Sequence, residues 1–474
     1  MLTACAETPT DVTTSFEAPD IYPDYADVTI PAGIAPLNFN VRGADKVYVS
    51  VQGGKEGLMT ATGEWADFDI DEWHDLTEQN MGADLTFTVS TKSNGQWTQW
   101  APFCVHVSGD RLDDYGLTYR KLAPGYETYS NIGNYQRDIH TFEEDPIIES
   151  TAIPGQCMCC HTANRTDPKQ FTVHIRGKHG ATLVQIDGKR TWLTTKTDST
   201  IANCMYPYWH PSGNYVAYSI NKVHQCFYTS NKHFIEVFDE ASDAAILDVR
   251  TNELILAPCL RTSDFETYPV FSADGRTIYY STSKKHPVPA ECGELRYDIC
   301  SVSFDPEKGH IGNDVDTILK VSDGGHSAVL VRPSYDGRYL MYTRSDYGYF
   351  PIDHKEADLW LIDLKTGENR SLNEINSDDT ESYHNWSSNS HWFVFSSRRE
   401  DGLYARLYIA NIDDNGHVGK PFLLPQRNPM LYYRESLHAY NVPDFTLTKV
   451  DFDAREAYSE IFSDERIKVG IKTE

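Results

Sequence analysis

The feature that most constrains this chain is a turn-and-strand unit that recurs four times in its second half. Tyr208-Trp209-His210-Pro211-Ser212-Gly213 is followed by Tyr215-Val216-Ala217-Tyr218-Ser219. Val270-Phe271-Ser272-Ala273-Asp274-Gly275 precedes Thr277-Ile278-Tyr279-Tyr280-Ser281, and Pro333-Ser334-Tyr335-Asp336-Gly337 precedes Tyr339-Leu340-Met341-Tyr342-Thr343. Trp386-Ser387-Ser388-Asn389-Ser390, followed by Trp392-Phe393-Val394-Phe395-Ser396, is a looser copy. The turn positions 213, 275, 337 and 390 are separated by 62, 62 and 53 residues. Each copy runs on into an outer apolar strand, clearest at Asp358-Leu359-Trp360-Leu361-Ile362-Asp363. A short unit of this kind cannot bury its apolar face alone and must stack on copies of itself. Tight turns between short apolar strands describe the blades of a propeller.

The repeat resembles the TolB-type propeller repeat, whose core reads roughly Trp-Ser-Pro-Asp-Gly and then a strand. The copies cover about 205–435. Leu183–Gly188 and Tyr135–Ile139 read as further outer strands, and Tyr440–Phe445 as a closing strand that joins the last blade to the first. The expectation is an all-β chain with a five- or six-bladed TolB-like β-propeller over 201–447. Residues 25–108 alternate apolar and polar positions between Gly/Asn/Asp turns, as in Val47-Tyr48-Val49-Ser50-Val51. They predict an immunoglobulin- or fibronectin-like sandwich ahead of the propeller. Residues 109–200 are expected to hold a cysteine-rich insertion and the first propeller strands, and 448–474 an exposed short helix and tail.

Composition narrows the partners. Asp+Glu outnumber Lys+Arg by 69 to 42, a net charge of −27, so nucleic acid and anionic membrane surfaces are poor partners. No apolar run approaches the ~18 residues of a membrane helix. Leu2-Thr3-Ala4-Cys5 matches the end of a bacterial lipoprotein signal with its lipidated cysteine. The basic and apolar regions of an export signal do not precede it. Residues 1–24 are read as a trimmed signal and polar tether, with lipidation at Cys5 and attachment to the outer membrane.

Of the ten cysteines, three crowd together in Cys157-Met158-Cys159-Cys160-His161. Cys157-x-x-Cys160-His161 is the c-type haem attachment signature. Two thiols three positions apart can each form a thioether with one haem vinyl group, and the adjacent imidazole becomes an iron ligand. Cys159 adds a third thiol inside the motif. Zinc, structural disulfides and a thioredoxin-like pair are the alternatives. No second Cys/His pair stands at zinc-finger spacing, and no βαβ pattern surrounds the motif. Pro154–Pro168 is expected to form an exposed loop, with His161 facing a cavity. His174 is the candidate for the second iron ligand, with His179, Met205 and His210 in reserve. Arg165, Arg176 and Lys178 are candidate propionate partners or simply a solvated face. There is no nucleophile elbow, P-loop or dinucleotide fingerprint. Asp239, Asp243 and Asp248 read as turns and solvated strand ends.

The chain also resembles a family of lipoproteins labelled TolB-like or cytochrome c biosynthesis proteins. The likeness rests on Tyr119–Glu127, Cys157–His161, His174–Lys178, Tyr206–Gly213, Trp386–Ser390 and Phe422–Gln426, and covers most of 25–447. It implies covalent haem c and a cell-envelope location. The expected function is electron transfer or haem-dependent sensing with an envelope protein partner. A partner-binding scaffold with a structural cysteine cluster is the alternative, and a glycan-active propeller a weaker one.

Overall fold

The computed structural model describes residues 7–123, 131–151, 156–227, 235–463 and 465–472. Cys5 lies outside them. Six sheets form the blades of a β-propeller. The second begins at Cys157–Asn164, the third at Met205–Trp209, the fourth at Phe265–Phe271, the fifth at Ser327–Pro333 and the sixth at Glu381–Trp386. The first combines Gly116–Leu122, Ile132–Asp138 and Glu144–Glu149 with the late strand Ala439–Thr446. This late strand pairs antiparallel with Gly116–Leu122, so the chain closes its own ring. The innermost strands touch one another in sequence round the whole circle, which surrounds a central channel.

The repeat has a local cause. Gly213, Gly275 and Gly337 sit at φ +71°, +72° and +78°, where a side chain is strained. At Gly275 space is decisive as well: a Cβ there would lie 2.1 Å from the His210 ring of the preceding blade. His210 is therefore part of the interblade turn. One ring nitrogen bonds Ser212 and the other approaches the Gly275 carbonyl at 3.0 Å, which removes this histidine as a reserve iron ligand. The sixth blade places Ser390 in the same left-handed conformation, at φ +63°.

Two boundaries differ from expectation. The propeller starts near Gly116, so the expected border at 201 cuts between its second and third blades. The C-terminal residues are not a free tail. Helix Ala454–Ser463 buries Ala457 and Ile461, and its Glu460 takes two hydrogen bonds from Arg190 and one from Trp192. Ile467–Lys468 and Gly470–Lys472 then add parallel outer strands to the second and third blades. Charged residues dominate this segment, but each strand needs only a few backbone pairs to dock on a blade's exposed edge.

The N-terminal region forms one seven-stranded sheet and a two-stranded ribbon, Ile21–Tyr22 with Asn40–Val41. The expected pair of facing sheets is replaced by this arrangement and a helix, Ile70–Gln79. Asp69 caps the helix by accepting from the amides of Asp71 and Glu72, and Trp73 buries its indole beside Phe68. This region packs on the propeller rather than swinging free. One apolar core runs from it into the fifth, sixth and first blades. Polar contacts tie it down, including Tyr25 Oη to the Leu423 carbonyl at 3.2 Å and Asn38 Nδ2 to the Arg427 carbonyl at 2.9 Å.

Candidate functional site: the propeller channel

The innermost strands share a bulge, and the bulge builds the channel wall. Tyr206, Tyr268, Leu330, Tyr383 and Val442 all take positive φ, between +47° and +56°. Such a conformation costs roughly 1–3 kcal/mol for a residue other than glycine. Its recurrence at one place in five blades makes it a property of the repeat, which re-aims side chains at the channel. Interblade contacts extend the alignment to the second blade. Trp209 Nε1 donates to the Thr162 carbonyl and Trp386 Nε1 to the Arg332 carbonyl, each across to the preceding blade. Thr162 and Arg332 therefore occupy one level. Cys160 then stands level with the five bulge residues, and His161 with Pro207, Pro269, Val331, His384 and Pro443.

The cysteine motif is thus the second blade's version of the repeat, not an insertion. The expected exposed loop is corrected accordingly. Cys157–Asn164 is a strand, with Cys157, Cys160 and His161 only 6%, 7% and 1% exposed. Composition hid the correspondence, because Cys-His-Thr-Ala replaces an aromatic-rich stretch such as Tyr-Pro-Tyr-Trp. The ladder also resumes one residue earlier here, with His161 opposite Val173.

Cys160, His161, Tyr206, Tyr268, Arg332 and His384 line one cavity in the channel, with Asn385 and Asp444 beside them. Burial drives both imidazoles down to about 3, so they are neutral at physiological pH. Neither ring nitrogen of either histidine makes a hydrogen bond of good geometry. An unsatisfied buried polar group costs about 1–3 kcal/mol. Asp444 is also fully buried. Its carboxylate accepts from Thr162 Oγ1 at 2.8 Å, the Ala163 amide at 3.2 Å and Asn385 Nδ2. Burial still raises it to about 7 against those donors.

His174 and Arg176 do not join His161. Val173 and Phe171 share the His161 face and pack toward the first blade. His174 lies on the other face, where its Nδ1 meets Thr182 Oγ1 at 3.0 Å. Arg176 is on that same face and donates to Met205 Sδ of the third blade at 3.3 Å. Strand alternation thus overturns His174 as a partner of His161 and takes Arg176 and Met205 away from it. His179 meets Phe462 of the C-terminal helix edge to face. Lys178 is exposed, and Arg165 reaches the turns near Ala273 and Tyr335. The cation that does line the channel is Arg332, set over the Tyr208 ring at 5.4 Å. It stood unmarked in the third repeat copy, in register with Thr162.

Asp239 is corrected too. It is fully buried, accepts from Asn221 Nδ2 at 2.6 Å and Tyr349 Oη at 2.9 Å, and is raised to about 7 by burial. Among the described residues no group of three or more His, Cys, Asp or Glu side chains converges as a preformed metal site. No described helix is long and apolar enough to cross a membrane.

No family model and no curated protein matches the chain. Solved structures similar to it include TolB from Acinetobacter baumannii, with 12% identity over 80% of this chain and 86% of that one, at a TM-score of 0.43. The periplasmic gluconolactonase of Pseudomonas aeruginosa shows 14% identity over 70% of this chain and 99% of that one, at a TM-score of 0.35. A prolyl oligopeptidase B from Galerina marginata shows 12% identity over 64% of this chain and 44% of that one, at 0.36.

Proposed function

We propose that this protein is a cell-envelope haem c protein, with its haem held in the propeller channel by Cys157, Cys160 and His161. The observation that carries the reading is the buried, neutral His161 imidazole, which lines the channel with the Thr118 backbone beside its ring. A nitrogen donor in that state suits a metal ligand, and two thiols stand on the same strand at attachment spacing. Cys160 and His161, which line the channel cavity, would hold the group; Cys157 stands outside that lining, opposite Arg176. When bound, a haem would supply one-electron chemistry or a site for a small diatomic ligand. Arg332, the channel cation, is the candidate propionate partner in place of Arg176. The channel would shield the iron from bulk water, a setting for electron transfer or sensing with a protein partner in the envelope. Anchoring through a lipid on Cys5 belongs to the same reading.

The test is a pyridine haemochrome assay on denatured protein from a host competent in cytochrome c maturation. One covalent haem per chain is expected, lost when Cys157 and Cys160 are both replaced by serine. Wild-type protein without covalent haem would overturn the reading.

A further inference from the structure

A second cavity lies in the wedge between the sixth and first blades. It shares only Tyr383 with the lining of the channel cavity around His161, so nothing at it depends on the haem reading. Leu122, Ile235, Ile352, Leu403, Ala405 and Ala439 make its wall mainly apolar. Two polar groups in that wall lack partners among the described residues. They are Ser396 Oγ of the sixth blade and Asn441 Oδ1 of the first, on residues 3% and 4% exposed.

The repeat shows what this level of a wedge ordinarily does. Ser219, Ser281, Thr343 and Ser396 hold one position of the second strand, opposite Met205, Thr267, Val329 and Ser382, the residues before the bulge. Asn441 precedes Val442, so it holds the place of Thr267 in the closing strand. Between the third and fourth blades the two positions meet. Ser219 Oγ lies 3.3 Å from Thr267 Oγ1 and accepts from the Tyr268 amide at 2.7 Å. Between the fourth and fifth, Ser281 Oγ donates to the Ala328 carbonyl at 3.1 Å. Thr343 Oγ1 of the fifth blade is unpaired too, but Asn441 adds a second unpaired group to the wedge of the sixth. Where the third and fourth blades touch, the sixth and first leave a cavity. The cation in its wall is already engaged. Arg398 donates to Asp379 Oδ1 at 3.1 Å, to the Asp353 carbonyl at 3.3 Å and to the Asp353 carboxylate. A charged ligand finds no free counterion there. A single hydroxyl suits the two unpaired groups, because it can donate to the Asn441 oxygen while accepting from the Ser396 hydroxyl. An apolar body suits the rest of the wall.

We infer that this wedge is a binding site for a small uncharged molecule with an apolar body and one hydroxyl, oriented by Ser396 and Asn441.

The experiment titrates the full chain with phenol, toluene and benzoate. Toluene keeps the size of phenol without its hydroxyl, and benzoate carries a charge. Affinity is read by calorimetry, and the place of binding by diffraction from phenol-soaked crystals. Phenol should saturate a single site, with its oxygen between Ser396 and Asn441, and toluene and benzoate should bind more weakly. Ser396→Ala removes only an unpaired hydroxyl. It should weaken phenol about two- to tenfold, the worth of one neutral hydrogen bond, and leave toluene unchanged. Asn441→Leu should weaken phenol and strengthen toluene. Ser281→Ala, at the same level between other blades, should bind phenol like wild type. The inference is overturned by absence of saturable phenol binding, by benzoate binding as tightly as phenol, or by equal phenol affinity in wild type, Ser396→Ala and Asn441→Leu. Soaked crystals with only ordered water between Ser396 and Asn441 overturn it as well.

Discussion

The second and sixth blades solve one packing problem with different residues. In the sixth, Tyr383 takes the strained bulge position and Trp386 fills the wedge against the fifth blade. In the second, Cys160 and Ala163 stand at those levels, both small, and Phe171 and Val173 of the neighbouring strand supply the apolar contact. Both keep a histidine between them. The sixth blade therefore keeps the repeat's aromatic framework around its imidazole, whereas the second gives up that framework and gains thiols. Packing in the second blade has moved outward, leaving the channel edge free for chemistry.

The largest break in this comparison is expected from Trp386→Ala. It empties a fully buried wedge and should cost about 3–5 kcal/mol in denaturant unfolding. A loss under ~1 kcal/mol would mean that the aromatic framework is dispensable in the sixth blade as well. Gly275→Ala comes next, at about 2–3 kcal/mol. It combines a left-handed backbone with a clash against the His210 ring, and His210→Ala should recover part of the loss.

Buried histidines sharpen the contrast through pH. Burial holds His174 at about 3, below its ordinary value near 6.5. The unfolded chain then binds the extra proton, so this contribution is intact above pH 6.5 and is lost as pH falls. At pH 5 the loss reaches about 2 kcal/mol, and His174→Val should lack that slope in a stability–pH series. His354, beside the fifth blade, has the opposite sign. Burial pulls it down, but Glu236 at 3.4 Å and Glu356 at 3.5 Å outweigh that and raise it to about 9. Its contribution is intact below pH 6.5 and fades as pH rises through 9, a slope that His354→Gln should remove.

The smallest effect belongs to Ser390→Gly, within about 0.5 kcal/mol. Relief of the left-handed serine is offset by loss of the Ser390 Oγ bond from the Asp336 amide at 3.2 Å. A clear gain in thermal unfolding temperature would show that strain dominates at this turn.

By itself the sequence determined the propeller, because a blade is announced locally. Gly213, Gly275 and Gly337 are needed wherever a tight turn demands positive φ, and the strands after them alternate within a few residues. The closing strand was legible for the same reason, since Tyr440-Asn441-Val442-Pro443-Asp444-Phe445 carries the pattern of an innermost strand. The attachment spacing of Cys157, Cys160 and His161 was equally local. The N-terminal helix was missed because Asp69-Ile70-Asp71-Glu72-Trp73 lies within a strand-rich stretch, and the tail strands because two or three residues give no period to read. Only the tertiary structure decided which residues meet in the channel. That depends on bulges and on which sheet face turns to which neighbour, and a one-residue shift in the ladder reverses every side chain beyond it. His174 and Arg176 stand close to His161 in the chain but face the third blade. His384, more than two hundred residues away, stands at the same level of the ring because six blades close on one axis.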